Sequence, residues 1–294
     1  MLSQRLALGT VQLGMPYGVA NRVGQVPTGE ARLILERART SGMDTLDTAA
    51  AYGASEAVLG GIGVADWIVI SKIPPVPKEC ADVHAWMRAA VTGSLERLRV
   101  PRLGALLLHA PMQLLGPNGA AIHSALQQLQ EEGLTQRIGI SVYGPEELDA
   151  LFGNFAFDLV QAPFNIIDRR LATTGWLARL RRAAVEIHVR SLFLQGLLLM
   201  AAAQRPVEFA RWQSLWDRWD GWLGRTGLTA VQACVGFAAA HPDIDRAVVG
   251  VDSLRQLEEI LSALTLGRVE PPRGLACEEP DLVEPSRWRL RGAA

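Results

Sequence analysis

The chain alternates two kinds of pattern. Short, nearly continuous apolar runs occur at Leu6–Gly9, Thr45–Asp47, Trp67–Ser71, Leu103–His109, Arg137–Val142, Phe157–Gln161, Val185–Ser191 and Arg246–Gly250. Runs of this length rich in Val, Ile and Leu read as strands buried on both faces. Longer stretches with apolar residues every three or four positions lie between them. These predict helices over Thr28–Ser41 (Thr28 as N-cap), from Ser55 to Leu59 onward, and over Asp82–Arg99 and Gly119–Glu132, where Gly133 is the stop. Further helices are predicted from Pro145 and over Ile166–Ala184, Thr229–Ala240 and Ser253–Leu264. The third strand is expected to end at a turn, Lys72-Ile73-Pro74-Pro75.

The order is strand then helix, repeated eight times. Right-handed crossovers of such units give an open doubly wound sheet or a closed barrel. An open dinucleotide-binding sheet carries GxGxxG after its first strand, and Gly9-Thr10-Val11-Gln12-Leu13-Gly14 lacks that spacing. The expectation is therefore a single (β/α)8 TIM barrel, α/β in class, in one domain over residues 1–294. The barrel spans about 6–264 and a C-terminal tail 265–294, proline-rich from Arg268. Pro206–Arg225 is an insertion after strand 7. It carries Trp212, Trp216, Trp219 and Trp222 on one helical face, either packing the helix on the rim or walling a pocket.

Composition narrows the class. Hydrophobic residues make up 49% and charged residues 20%, with a net charge of −1, so no field gathers nucleic acid or an anionic membrane. The longest apolar run, Leu192–Ala203, is too short for a bilayer, and no signal-like apolar segment follows Met1. Cys80, Cys234 and Cys277 form no CxxC pair, which points to reduced thiols in a cytoplasm.

A parallel barrel gathers the C-terminal ends of its strands at one mouth. Those ends bear Asp47, Lys72, His109, Ser141, Gln161 and Arg190 with Ser191, and Tyr52 lies five residues past Asp47. Each alone has a bland reading as a cap, solvated edge or packed side chain. Together they put four proton-handling groups, Asp47, Tyr52, Lys72 and His109, at consecutive strand ends. His84, His123, His188 and His241 show no ligand spacing, and no metal is assigned. A metal-dependent hydrolase needs more ligands than Asp47 and His109.

The segment Gly42-Met43-Asp44-Thr45-Leu46-Asp47-Thr48-Ala49-Ala50-Ala51-Tyr52-Gly53, followed by Ser55-Glu56 and Leu59-Gly60, resembles the signature of the aldo-keto reductase superfamily. The resemblance continues through Ser71-Lys72, Leu107-Leu108-His109, Ile138-Gly139-Ile140-Ser141, Val160-Gln161, Val249-Gly250 and Gln256-Leu257-Glu258-Glu259. It implies NADP-dependent reduction of an aldehyde or ketone to an alcohol, or the reverse, with NAD as the alternative cofactor. Tyr52 would be the proton donor, Lys72 the charge beside it, Asp47 the partner of Lys72, and His109 a donor to the substrate oxygen. Gly9 and Thr10 would approach the nicotinamide end, and Ser141 and Gln161 would hold the carboxamide. Gly250 and Ser253 would meet phosphates at the last helix N-terminus, with Gln256 and Glu259 by the adenine. Arg190, beside Ser191, stands where an aromatic residue usually stacks on the nicotinamide. A guanidinium can stack too, but its charge opposes the oxidised ring. Val142 and Ile260 replace common Asn residues, and Asp252 lies where a basic residue often meets the 2′-phosphate, with only Arg255 close. Bacterial members linked to sugar or secondary metabolism suggest a small-molecule carbonyl substrate of the sugar or polyhydroxylated-aldehyde kind. Some relatives that keep the cofactor serve as redox-sensing subunits, which is the rival reading.

Overall fold

A computed structural model describes residues 2–290. The end of the expected tail, 291–294, lies outside the described residues. Eight parallel strands close in sequence order: β1 Leu6–Gly9, β2 Thr45–Asp47, β3 Ile68–Ile73, β4 Ala105–Leu108, β5 Ile138–Ser141, β6 Leu159–Pro163, β7 Glu186–Arg190 and β8 Arg246–Gly250. The ring is completed by β1 pairing β8, with Gly9 beside Gly250.

Alternation along each strand sorts residues to two sides of the wall. Leu6, Leu8, Leu46, Val69, Leu106, Leu108, Ile140, Val160, Ile187 and Val189 belong to the large cluster between strands and helices. A separate small cluster of Ile70, Ala105, Leu107 and Leu159, with Ile68 against it, fills the inside. The same pleat continues upward from each interior residue to a polar one two positions on: Ile70 to Lys72, Leu107 to His109, Leu159 to Gln161, Thr45 to Asp47. The interior is tight at Gly139, where a Cβ would lie 2.0 Å from the Leu159 carbonyl oxygen. Below it, Arg137 pairs with Glu186, which accepts from His188 Nε2 at 2.8 Å.

The outer layer begins with α1 Val11–Gly14, a single turn after β1, and α2 Thr28–Thr40, whose Ala31, Ile34, Leu35 and Ala38 face the barrel. Pro27, with extended backbone, precedes α2, and Thr28 is its first helical residue without a cap bond, contrary to the expected N-cap. Proline fixes the φ that a helix start needs, so no side-chain cap is required. Then follow α3 Ser55–Ile62, α4 Val83–Leu98, α5 Gly119–Glu131 and α6 Pro145–Leu151. Asp82 caps α4 by accepting from Ala85 N at 2.9 Å.

Two other expectations change. Lys72 and Ile73 extend β3 instead of opening a turn, because both pair with β4. The helix expected over Ile166–Ala184 is broken into α7 Arg170–Thr173 and α8 Trp176–Arg182. Asn165 Oδ1 accepts from the backbone N–H of Ile167 and Asp168, which holds a turn there, and Gly175 at φ 82° separates the two helices.

After β7 come short 3-10 turns and α9 Gln213–Thr226, then α10 Ala230–Ala239, capped at Thr229 by a reciprocal bond pair with Gln232. Next are α11 Leu254–Ala263 and, in the tail, α12 Pro280–Val283. Trp212, Trp216, Trp219 and Trp222 are all buried; Trp216 Nε1 donates to the Phe209 carbonyl and Trp212 Nε1 to Glu279. The tail is tied down by Cys277 N to the Ile167 carbonyl and by a buried ion cluster. In that cluster Arg170 bonds both oxygens of Asp168 at 3.0 Å and Glu284 at 3.1 Å.

Candidate active site

The strand ends place a connected polar group at the mouth. Lys72 Nζ donates to Asp47 Oδ1 at 2.6 Å and to the Thr48 carbonyl at 3.0 Å. Asp47 Oδ2 accepts from Gln161 Nε2 at 2.6 Å, and Ser141 Oγ reaches Gln161 Oε1 at 3.5 Å. Both Asp47 and Lys72 are buried. Burial alone would discharge the Lys72 ammonium; Asp47 and Tyr52 outweigh it, and the ammonium is held above its ordinary value. Lys72 therefore stays charged where few charges survive.

Tyr52 stands over that charge, its ring centre 5.0 Å from Lys72 Nζ. Its position follows from how the β2–α3 loop is held. Ser55 Oγ contacts Thr10 and Thr48, Ala50 N donates to the Lys72 carbonyl, and Ala54 N to the Gly14 carbonyl. Gly14 permits this approach, since a Cβ there would sit 1.9 Å from the Tyr52 carbonyl oxygen. His109 meets Tyr52 edge to face, with ring centres 5.9 Å apart. Burial, then the Lys72 and Arg190 charges, push His109 down to about 4. Its imidazole is neutral near pH 7 and can donate one N–H without acting as an acid.

These groups open into a cavity of about 440 Å³, lined among others by Gly9, Thr10, Asp47, Tyr52, His109, Ser141, Arg190, Ser191, Gly250 and Gln256. Gln161 lies behind it, fully buried, with its amide committed to Asp47 and Ser141. Thr10 gives its hydroxyl to the Asp47 carbonyl at 3.0 Å. Arg190 donates to the Val142 carbonyl at 3.0 Å and lies over the Tyr143 ring at 4.8 Å. Ser253 caps α11 through Gln256 N and is absent from the lining, as is Glu259, which is exposed and pairs with Arg255.

A nicotinamide dinucleotide can be tested against these residues. Gly9 and Gly250 leave a slot at the barrel rim; a Cβ on Gly250 would lie 2.5 Å from the Gln12 amide nitrogen. Gln12 Oε1 is buried without a partner beside that slot, and Gln12 lines the cavity. A polar ligand against β1 and β8 would satisfy it, so the inner end fits. The α11 N-terminus is less open than expected. Leu254 N donates to Glu30, Gln256 N to Ser253, and Asp252 N to Gln256. Asp252, half-buried and bonded to Asn21 at 2.9 Å, adds an acidic wall.

Several lining residues escaped the sequence reading: Gln12, Tyr17, Asn21, Tyr143, Gln195 and Ser286. Tyr17 and Gln195 meet at 3.0 Å across the mouth, joining the β1 loop to the β7 loop. The only local signal was polar and glycine-rich composition after the strands, which marks loops without marking their direction.

The family model for the Aldo/keto reductase family matches residues 5–270, and the chain belongs to that family. A Mycolicibacterium vanbaalenii aldo-keto reductase is 31% identical over 135 residues, 45% of this chain and 47% of that protein. The rat aflatoxin B1 aldehyde reductase member 2 is 31% identical over 153 residues, 49% of this chain and 38% of its own length. The chain spans about half or less of the length of these two curated relatives. The aldo-keto reductase AKR11C1 from Bacillus halodurans, in its holo form, shares the fold at a TM-score of 0.69 and 20% identity, over 90% of this chain and 88% of that one.

Proposed function

We propose that the chain reduces an aldehyde or ketone to an alcohol, or catalyses the reverse, with a nicotinamide cofactor. The observation that carries this reading is Tyr52 over the charged Lys72, which is itself bonded to Asp47. The cofactor would supply or accept the hydride. The Tyr52 hydroxyl gives its proton to the carbonyl oxygen as charge develops there. Lys72 stabilises the phenolate that remains, and Asp47 keeps the ammonium charged and aimed. Neutral His109 donates a hydrogen bond to the same oxygen.

Gly9, Gln12, Ser141 and Gly250 would hold the inner end of the cofactor. NADP is the cofactor that family membership favours, and NAD is the alternative that Asp252 supports. The substrate is a small carbonyl compound. Among the described residues no helix is long and apolar enough to cross a membrane, and the three free cysteines suit a reducing cytoplasm. A redox-sensing role with little turnover gains no support from a complete proton-handling group.

The test is fluorescence titration with NADPH and with NADH, followed by turnover of a carbonyl panel. Tyr52→Phe should keep cofactor binding and lose turnover by about 100-fold or more. Full turnover in that variant would remove Tyr52 as the donor.

A further inference from the structure

The mouth holds one cation that the proposed chemistry does not use. Lys72 is neutralised by Asp47. Arg190, at the end of β7, lines the same cavity, half-buried, and has no carboxylate partner among the described residues. Its recorded acceptors are neutral: the Val142 carbonyl at 3.0 Å and Ser191 Oγ at 3.3 Å. The surrounding acids are otherwise engaged. Asp47 is held by Lys72 and Gln161, Glu147 accepts from Tyr143 N at 2.7 Å, and Glu284 is taken by Arg170 and Arg287. By contrast Arg170, buried nearby, has both Asp168 and Glu284.

A half-buried guanidinium with only neutral acceptors retains unused N–H donors, in a fork that matches a carboxylate or a phosphate. One face of the group is occupied by the Tyr143 ring, so the donors remain in a fixed plane. The charge acts at the chemical end of the cavity, since it is felt at His109. We infer that the carbonyl compound handled here carries an anionic group, a carboxylate or a phosphate, and that Arg190 receives it. This rests on the reductase reading and adds the substrate class. The anion could also be a phosphate of the cofactor, and the experiment separates the two.

Wild type, Arg190→Gln and Arg190→Lys are first titrated with NADP and NAD in the oxidised form, which cannot reduce an aldehyde. The protein saturated with whichever binds is then titrated calorimetrically with 4-carboxybenzaldehyde and with its neutral isostere 4-carbamoylbenzaldehyde. The ratio of the two affinities is read. Wild type should bind the carboxylate about 10- to 100-fold more tightly, the worth of a charge-assisted pair. The preference should vanish in Arg190→Gln, survive in part in Arg190→Lys, and shrink in 0.5 M salt. Equal affinities in wild type, or a preference that survives Arg190→Gln, overturn the inference. So does an Arg190→Gln variant that loses cofactor affinity with the ratio intact, which assigns the guanidinium to a cofactor phosphate. Failure of wild type to bind either nucleotide is a different result, and sinks the reductase reading itself.

Discussion

Asp47 and Lys72 depend on each other more than either depends on solvent. Both are buried and 2.6 Å apart. Removing one partner of such a pair strands a charge, typically at about 3–5 kcal/mol. Asp47→Ala should therefore lower the urea midpoint substantially as well as abolish turnover, whereas Tyr52→Phe should leave the midpoint near wild type. If both variants lost activity with equal, small stability changes, the pair would not be buried as described. His109 gives a second prediction. Its folded value, about 4, lies below the ordinary 6.5, so the unfolded chain takes up a proton first as pH falls. The resulting stability is complete above about pH 6.5 and is lost as pH drops towards 4. His188, pushed down to about 3 by burial, adds in the same direction over a similar window. His109→Gln should flatten the fall in unfolding free energy between pH 6.5 and pH 4.5 without abolishing it. An unchanged slope would mean that His109 protonates freely in the folded protein.

At the scale of elements, the strands were legible because period-two burial leaves little ambiguity in an eight-fold repeat. The proton-handling residues were legible for the same reason, since a pleat that ends in Lys72 or His109 must deliver it to the mouth. What the local pattern hid was set by side-chain bonds at turns. Asn165 interrupts an apolar period that otherwise reads as one long helix, and its two backbone bonds exist only once β6 has placed it. The α11 N-terminus looked like an open anion site, yet Glu30, 224 residues earlier, already accepts from Leu254 N. The β2–α3 loop shows how much one element can depend on a distant backbone. Gly14→Ala would put a methyl carbon 1.9 Å from the Tyr52 carbonyl oxygen and 2.4 Å from Ser55 N. The loop must move, and a displacement near 1 Å at Tyr52 is enough for about a 100-fold loss in kcat. The expected signature is a fall in kcat disproportionate to any change in cofactor affinity, measured on the same preparation; unchanged kcat would show the loop to be looser than its bonds imply.

On the scale of the molecule, the insertion and the tail are one structure laid against the barrel. Tryptophans of the insertion are buried, and none lines the catalytic cavity, which favours packing over pocket-walling for that stripe. The tail contributes Pro285 and Ser286 to the cavity immediately after Glu284, and Glu284 is fixed by Arg170. Arg170 also donates to the carbonyl of Tyr143, another lining residue, so one guanidinium sets two walls of the pocket. Sequence could not show this, because Arg170 and Glu284 are 114 residues apart and neither lies in a periodic run. Arg170→Met leaves Asp168 and Glu284 buried without their cation. Burial already pushes the Asp168 carboxyl up against the pull of Arg170. Without that pull both acids favour the neutral form more strongly. Wild type gains from the ion cluster only while the carboxylates are charged, so the variant's deficit, about 3–5 kcal/mol at pH 8, should narrow as pH falls to 5. Denaturation of both proteins at the two values checks it, and KM for the carbonyl substrate should rise with kcat within a few-fold, since Tyr52 and Lys72 are untouched. A deficit that stays constant with pH would mean that the tail is held by its apolar contacts, with Leu282 and Val283 as anchors in place of the ions.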